Sequence, residues 1–265
     1  MVIYLDESYD QPQKRFLLLG LLFCPSKKLH RQLALIHSKR ICLDKHNNIV
    51  ETKYVNSFTS HNYNVCAEFI DAFLKSDCWF SAIVVDTIST GFDLKYFGKA
   101  NESDSIKKAR VYKKFTELII SKNTRKTSNA VLLIDEVTRC NLDRFMELIR
   151  ESFCTAGVGY SIDKKLPTFR HVGSIKSDSP ENIRLCVCDL LLGCILNNNR
   201  PTENKWKNQL RKDLVAKLGV KDLLESTWSG RGKISLDISK KFRIWYWKPS
   251  NKKAQVTEPS SIVRY

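Results

Sequence analysis

An α/β fold, a mixed sheet flanked by helices, is what this 265-residue chain predicts, and three observations predict it. Two apolar runs, residues 2–5 and 16–23, stand at the start with only a short polar stretch between them, so they read as an antiparallel strand pair. After them, amphipathic stretches alternate with short apolar runs, the order expected of helices packed on a sheet. The apolar runs also differ in length. Those of about four residues read as buried strands, whereas the run over 183–196 is long enough to be a helix.

The elements follow in order. A strand over 2–7 leads to a turn at Gln11-Pro12-Gln13-Lys14 and a second strand over 16–23. Pro25-Ser26 opens an amphipathic helix to residue 40, with Leu29, Leu33 and Ile36 on one face. A polar connector over 44–48 leads into Ile49-Val50-Glu51-Thr52-Lys53, and a helix over 61–76 follows. The strand over 79–85 ends in Asp86. A loop-like stretch over 89–104, with Gly91 and Gly98, precedes a helix to residue 121. The basic connector 122–126 precedes a strand ending at Asp135, then a helix over 141–154 and a strand over 169–175. Ser179-Pro180 starts the last main helix, serine as N-cap and proline at the first helical position. Beyond it come a helix over 203–218, the loop Gly230-Arg231-Gly232-Lys233 and a strand over 242–247. Residues 1–199 thus form the core, and residues 200–265 are an elaboration of the same domain.

Composition narrows the function classes. No apolar run is long enough for a transmembrane helix, and no basic leader with a cleavage site precedes the first strand, so a cytoplasmic protein is expected. The nine cysteines are scattered without a CxxC pair, which suits reduced thiols and argues against a zinc site. A net charge of +16 and a pI near 9.4 favour a polyanionic partner. Residues 200–253 hold 15 Lys or Arg against 5 Asp or Glu, together with four of the five tryptophans. Basic groups interleaved with aromatics suit a phosphate backbone and stacked bases. Lys205, Lys207, Arg211, Lys212, Arg231 and Lys233 are the candidate nucleic-acid contacts, the last two on a loop that Gly230 and Gly232 let approach a phosphate. The structural alternative is a solvated basic surface around a small satellite core, with Trp245 and Trp247 sharing a buried face.

The chemistry is carried by acids. The run over 2–5 ends on Asp6-Glu7, the run over 131–134 ends on Asp135-Glu136, and the 183–196 segment carries Asp189 among apolar residues. An isolated charge in such a place is costly, so each acid must be paired, protonated or bound to a cation. Three of them from distant parts of one domain suggest a shared site, which a divalent metal would suit best. At helical spacing Asp189 lies with Leu185, Cys186, Leu192 and Gly193, on the face toward the sheet. Gly193 leaves room for a backbone or a ligand. Read structurally, Asp189 would hold a serine, a lysine or a backbone amide. Asp6 and Asp135 would share a sheet edge if their strands are parallel and adjacent. Asp86 follows its strand in the same way and is a weaker candidate. His171, beside Arg170, reads as a surface or phosphate-contact residue. Neither a Walker loop nor a dinucleotide-binding glycine fingerprint nor a GxSxG elbow occurs, which argues against motors, nicotinamide enzymes and serine hydrolases of that type.

These residues also form an ordered pattern. Tyr4-Leu5-Asp6-Glu7-Ser8, Leu18-Leu19-Gly20, Glu51-Thr52-Lys53, Leu132-Leu133-Ile134-Asp135, Ser177, Cys188-Asp189-Leu190-Leu191-Leu192-Gly193 and Lys241-Phe242-Arg243-Ile244-Trp245 resemble, in that order, the prokaryotic family called domain of unknown function 3800. The resemblance implies an RNase H-like mixed sheet with a two-metal carboxylate site at Asp6, Glu51, Asp135 and Asp189. It puts Lys53 beside that site as a phosphate or carboxylate partner. The chain departs from the pattern at Tyr9, where the family has glycine, and at Cys186, where it commonly has glutamine. The activity implied is that of a nuclease cleaving RNA or DNA with two Mg2+ or Mn2+ ions about 3.5–4 Å apart, Asp6 bridging them. The setting implied is a bacterial defence or mobile-element system, with a protein partner from the same operon. The competing class is a non-catalytic nucleic-acid-binding or complex-forming module on the same fold.

Overall fold

The structure is a computed structural model and describes residues 1–9, 15–88, 92–124, 129–136, 145–154, 169–176, 180–224 and 240–247. The expected turn at 11–14, Ser177, Ser179, Trp228 and the loop carrying Arg231 and Lys233 lie outside the described residues.

Among the described residues the hydrophobic runs form a six-stranded sheet, made from β1 (Val2–Tyr9), β2 (Phe16–Cys24), β5 (Trp79–Asp86), β6 (Ala130–Asp135), β7 (Phe169–Ile175) and β8 (Phe242–Tyr246). The spatial order is β7-β6-β1-β2-β5-β8. β2 is antiparallel to both of its neighbours, while the β1–β6, β6–β7 and β5–β8 pairs are parallel. The architecture is therefore the mixed α/β sheet, flanked by helices and opened by an antiparallel pair, that the sequence predicts. A two-residue pair, β3 (Cys42–Leu43) with β4 (Ile49–Val50), stands apart from the sheet.

Helices cover both faces, because the strands alternate two apolar sets of side chains. Tyr4, Leu18, Leu22, Phe80, Ala82 and Phe242 pack with α1 (Lys28–Lys39), α2 (Ser60–Lys75), α5 (Arg184–Asn199) and α6 (Lys205–Leu218). Ile3, Leu5, Leu19, Leu21, Ile83, Leu132 and Ile134 pack on the other side with α3 (Asp104–Asn123) and with Ile149 of α4 (Phe145–Cys154). Thr59, Ser103 and Asn204 cap α2, α3 and α6 by accepting backbone N–H bonds. Gly219 ends α6 at φ 65°, the left-handed conformation that glycine takes without strain.

Two expectations need correction. Pro180 does not begin α5: Pro180–Asn182 form a separate 3-10 turn, and α5 starts at Arg184 without a side-chain cap. Burial of nearly the whole helix against β1 and β2, rather than a cap, holds that end in place. The expected loop over 89–104 contains a 3-10 turn, Leu94–Phe97, whose Phe97 packs edge-on against Phe115.

Candidate active site

Strand alternation sorts the acids before any contact is considered. On β1, Ile3 and Leu5 face the α3 side and Tyr4 faces α5, so Asp6 points toward α5 and Glu7 away from it. On β6, Leu132 and Ile134 face the α3 side, so Asp135 also points toward α5. β1 and β6 are adjacent and parallel with Leu5 opposite Ile134, which sets Asp6 beside Asp135. α5 lies across β1 and β2 on that face. Gly20, paired with Asp6 across the ladder, lets it come close: a Cβ there would meet Leu192 and Phe80 at 2.9 Å. Asp189 on α5 thus reaches the same place.

Glu51 and Lys53 arrive on a different device. Buried Asn62 of α2 accepts from Leu43 N–H (2.9 Å) and donates to the carbonyls of Leu43 and Asn56 (2.7 Å each). Asn56 donates in turn to the Glu51 carbonyl (2.8 Å). These bonds hold the segment between β4 and α2 against α5, where Tyr54–Asn56 form a 3-10 turn. Tyr54 N–H donates to Asp189 Oδ2 at 2.6 Å. Asp189 therefore does hold a backbone amide, as its structural reading expected, and that bond also locks the Glu51–Lys53 segment to the helix. The space at Gly193 is taken by Tyr54, since a Cβ at 193 would lie 2.1 Å from Tyr54 Cγ.

Lys53 lies among the carboxylates. Its Nζ is 2.9 Å from Glu51 Oε2 and 4.0 Å from Asp135 Oδ2. Burial pulls the ammonium's pKa down, but Glu51, Asp135 and Asp189 outweigh it and hold it above the usual lysine value. The acids respond in the opposite sense. Asp6, 5% exposed, is raised well above an ordinary carboxylate by burial and by the charges of Asp189 and Asp135, against the Glu7 N–H that it accepts at 2.7 Å. Asp189 is pushed up to about 6 by burial, with the Tyr54 N–H and Lys53 opposing. Four carboxylates with one ammonium between them leave the site short of positive charge, and Asp6 and Asp189 hold a proton more tightly than ordinary carboxylates do.

The donor set is carboxylate oxygen throughout, the chemistry that suits Mg2+ or Mn2+ rather than a soft metal. Cys186, which donates to Glu51 Oε1 at 3.8 Å, is kept a neutral thiol by its burial and by the neighbouring Glu51 and Asp189 charges. Among the described residues, no group of three His, Cys, Asp or Glu side chains is arranged to hold an ion. The donor type thus fits the metal that the resemblance implies, while Lys53 stands where added positive charge is needed.

The other candidates separate from the cluster. Asp86 accepts a forked set of bonds from Arg15 at 2.6–3.1 Å, near the opposite end of β2 from Cys24 and with two strands between its own strand and that of Asp135. Glu136 is exposed and 4.0 Å from Lys176. His171 is an exposed residue of β7.

The predicted nucleic-acid contacts divide similarly. Lys205 and Lys212 on α6 are exposed, Lys205 with its ammonium 4.9 Å from the Trp206 ring. Lys207 is half-buried 5.8 Å from the Tyr54 ring; burial lowers its pKa while the Asp189 charge opposes, so it lies at the edge of the acid cluster. Arg211 is a tie between helices, donating to Asn198 Oδ1 at 2.9 Å. Packing, rather than open stacking surface, uses the described tryptophans of this region. Trp245 and Trp247 lie against the α3-side core, Trp247 edge-on to Phe115, and Trp206 packs on Tyr63. Tyr54, Asn56 and Asn62 position the site without any sequence signal beyond the nearness of Tyr54 to Glu51-Thr52-Lys53.

Among the described residues, no helix is long and apolar enough to cross a membrane. No family model and no curated protein matches the sequence. Among solved structures, the chain is similar to a chain in the complex of PCNA with RNase HII from Archaeoglobus fulgidus. The identity is 14% over 89% of this chain and 98% of that one, with a TM-score of 0.39, a likeness too small to carry an argument about fold or activity.

Proposed function

We propose that this protein is a divalent-metal-dependent nuclease of the RNase H-like kind, related to the domain of unknown function 3800 family and acting on phosphodiester bonds of RNA or DNA. The observation that carries this reading is the convergence of Asp6, Glu51, Asp135 and Asp189, from four separate segments, on one under-neutralised site. A fold selected for stability alone gains little from gathering like charges, because each raises the cost of ionising the next. Asp6, Glu51, Asp135 and Asp189 would hold the metal. When bound there, a pair of Mg2+ or Mn2+ ions stabilises the attacking and leaving oxygens and helps ionise the attacking water. Lys53 is free to exchange its Glu51 contact for a phosphate oxygen of the substrate. Lys207 extends the positive charge along the Tyr54 side, and exposed Lys205 and Lys212 carry it outward on α6.

The test is incubation of the purified protein with labelled single- and double-stranded DNA and RNA, in Mg2+, Mn2+ or chelator. Metal-dependent cleavage that Asp6→Asn abolishes is the expected result. No cleavage of any substrate, or cleavage unaffected by that change, overturns the proposal.

One observation favours a second reading. Lys53 already pairs with Glu51 and approaches Asp135, and no described trio of ligands is arranged for an ion. A non-catalytic nucleic-acid-binding module would keep such an ion network as structure, and would bind without cutting in the same assay.

A further inference from the structure

Strand register brings together two cysteines that lie outside the acid cluster. β2 and β5 are antiparallel, with Leu22 opposite Phe80 and Phe23 opposite Trp79. One step further along the same ladder, Cys24, the last residue of β2, stands opposite Cys78, the residue before β5. The register holds to that end, because the Phe23 and Trp79 rings stack on the α3 side with centroids 5.2 Å apart and planes 3° from parallel. Alternation then turns Cys24 and Cys78 to the other face, and both lie in the α5-side core with Tyr4 and Leu22. Directly opposed residues of an antiparallel pair have Cα atoms about 4.5–5.5 Å apart, inside the range of about 4.4–6.8 Å that a disulfide spans. Both cysteines are free thiols.

The two thiols are not equivalent. A hydrogen bond from Cys24, with help from Ser76 and the Lys241 ammonium, holds the Cys78 pKa below the usual thiol value, against burial and the Asp77 charge. Lys241 is fixed nearby by donating to the Ser76 carbonyl at 2.6 Å, and the Ser76 hydroxyl accepts from Cys78 N–H at 3.1 Å. Cys24 shifts the other way: its hydrogen bond with Cys78 and its burial push it well above that value, so it keeps its proton. One sulfur is thus prepared to attack and its neighbour to resolve. Both are covered, yet they close the ladder beside exposed Pro25 and exposed Asp77, where fraying of a single residue pair admits a molecule the size of water.

We propose that Cys24 and Cys78 form an oxidisable dithiol, a modification site that a peroxide converts into a cross-strand disulfide. The Cys78 sulfur attacks one peroxide oxygen and the O–O bond breaks. Hydroxide leaves, takes up the Cys78 proton as water, and Cys78 becomes a sulfenic acid. The Cys24 sulfur then attacks Cys78 Sγ, the S–O bond breaks, and a second water leaves with the Cys24 proton. Two thiols lose two electrons in all, and one peroxide is reduced to two waters. The new bond closes the loop 24–78, which carries Glu51 and Lys53 together with α1 and α2. It ties that segment without changing the register, and stabilises the fold by restricting the unfolded chain. This inference does not depend on the nuclease reading.

The experiment exposes the purified, folded protein to millimolar hydrogen peroxide, blocks the remaining thiols with iodoacetamide and maps the digest by mass spectrometry. The expected result is a peptide pair joined through Cys24 and Cys78 that dithiothreitol separates. The joined protein should melt about 10 °C higher than the reduced one, the scale of closing a loop of this length. In Cys24→Ser, Cys78 should be recovered as a sulfenic acid trapped by dimedone, whereas in Cys78→Ser, Cys24 should remain an alkylatable thiol. Recovery of both cysteines of the wild-type chain as alkylated thiols after peroxide, or a join that forms only in denaturant, overturns the proposal. A join between either residue and a different cysteine does the same.

Discussion

Asp6 and Asp86 have the same sequence context, a carboxylate closing a run of buried β-strand residues, and opposite fates in the fold. Asp86 meets Arg15, which reaches both carboxylate oxygens from the start of β2. Asp6 meets a backbone N–H, a lysine at longer range and two other carboxylates, and its pKa rises well above the normal range. The first is the ordinary solution to a charge at the edge of a core, since a charge-assisted fork neutralises it on the spot. The second is the arrangement that stability alone would avoid. What separates these two acids is therefore the sign of the neighbouring charges, not strand position.

The sharpest way to break this comparison is to remove each carboxylate's charge and keep its shape. Asp6→Asn should reduce metal-dependent cleavage by about a thousandfold or more, the scale of losing an essential electrostatic stabiliser. Asp86→Asn should cut at the wild-type rate. Gel assays of both variants on one substrate decide the matter, and equal rates would erase the distinction.

Added metal should separate the two places next. At about 100 times its dissociation constant, Mn2+ contributes about 2.7 kcal/mol to stability. A thermal scan should therefore rise for wild type and Asp86→Asn but stay flat for Asp6→Asn. A flat wild-type curve at millimolar Mn2+ would mean that metal binds only together with substrate.

The third test uses pH. Asp189 is raised to about 6 in the folded chain from the ordinary 3.8, so between those values the native state holds a proton that the unfolded chain has released. Stability then falls as pH rises through that window, by on the order of 2 kcal/mol after allowance for the partial exposure of the group. Asp6 adds a loss of the same sign. Denaturant titrations in chelator from pH 4 to 7 should show this decline in wild type and a shallower one in Asp189→Asn. Lower stability of Asp189→Asn than wild type at pH 7 would instead make the Tyr54 bond its main role.

The smallest effect belongs to the structural pair. Arg15→Met leaves Asp86 without its fork and should cost about 1–2 kcal/mol, because the arginine is 41% exposed and solvent screens much of the interaction. Cleavage should be unchanged. A loss of activity in this variant would show that the Arg15–Asp86 pair and the acid cluster are coupled.

Much of the fold was legible because burial leaves a periodic trace. Six apolar runs became the six described strands of the sheet, and the alternation within residues 2–9 and 130–135 is what aims Asp6 and Asp135 at the same helix. Asp189 was legible because a lone acid in an apolar helix has to be explained. Glu51 was not singled out by such a pattern, since it sits in a short irregular segment, and only the resemblance pointed to it. The limits of each helix depended on competition between local signals and packing: Ser179-Pro180 reads as a helix start, yet the chain makes a 3-10 turn at Pro180 and begins α5 at Arg184.

By itself, then, the sequence determined the strands and helices, the basic surface and three of the acids, because hydrophobic periodicity and charge are local properties of a chain. The tertiary structure decided which acids share a space, that Arg15 neutralises Asp86 while Lys53 is the ammonium among the clustered acids, and that Tyr54 fills the gap at Gly193. Each of those depends on groups far apart in the chain, 135 positions for Tyr54 and Asp189. Their meeting is set by strand register and helix packing, and no local pattern in the residues records it.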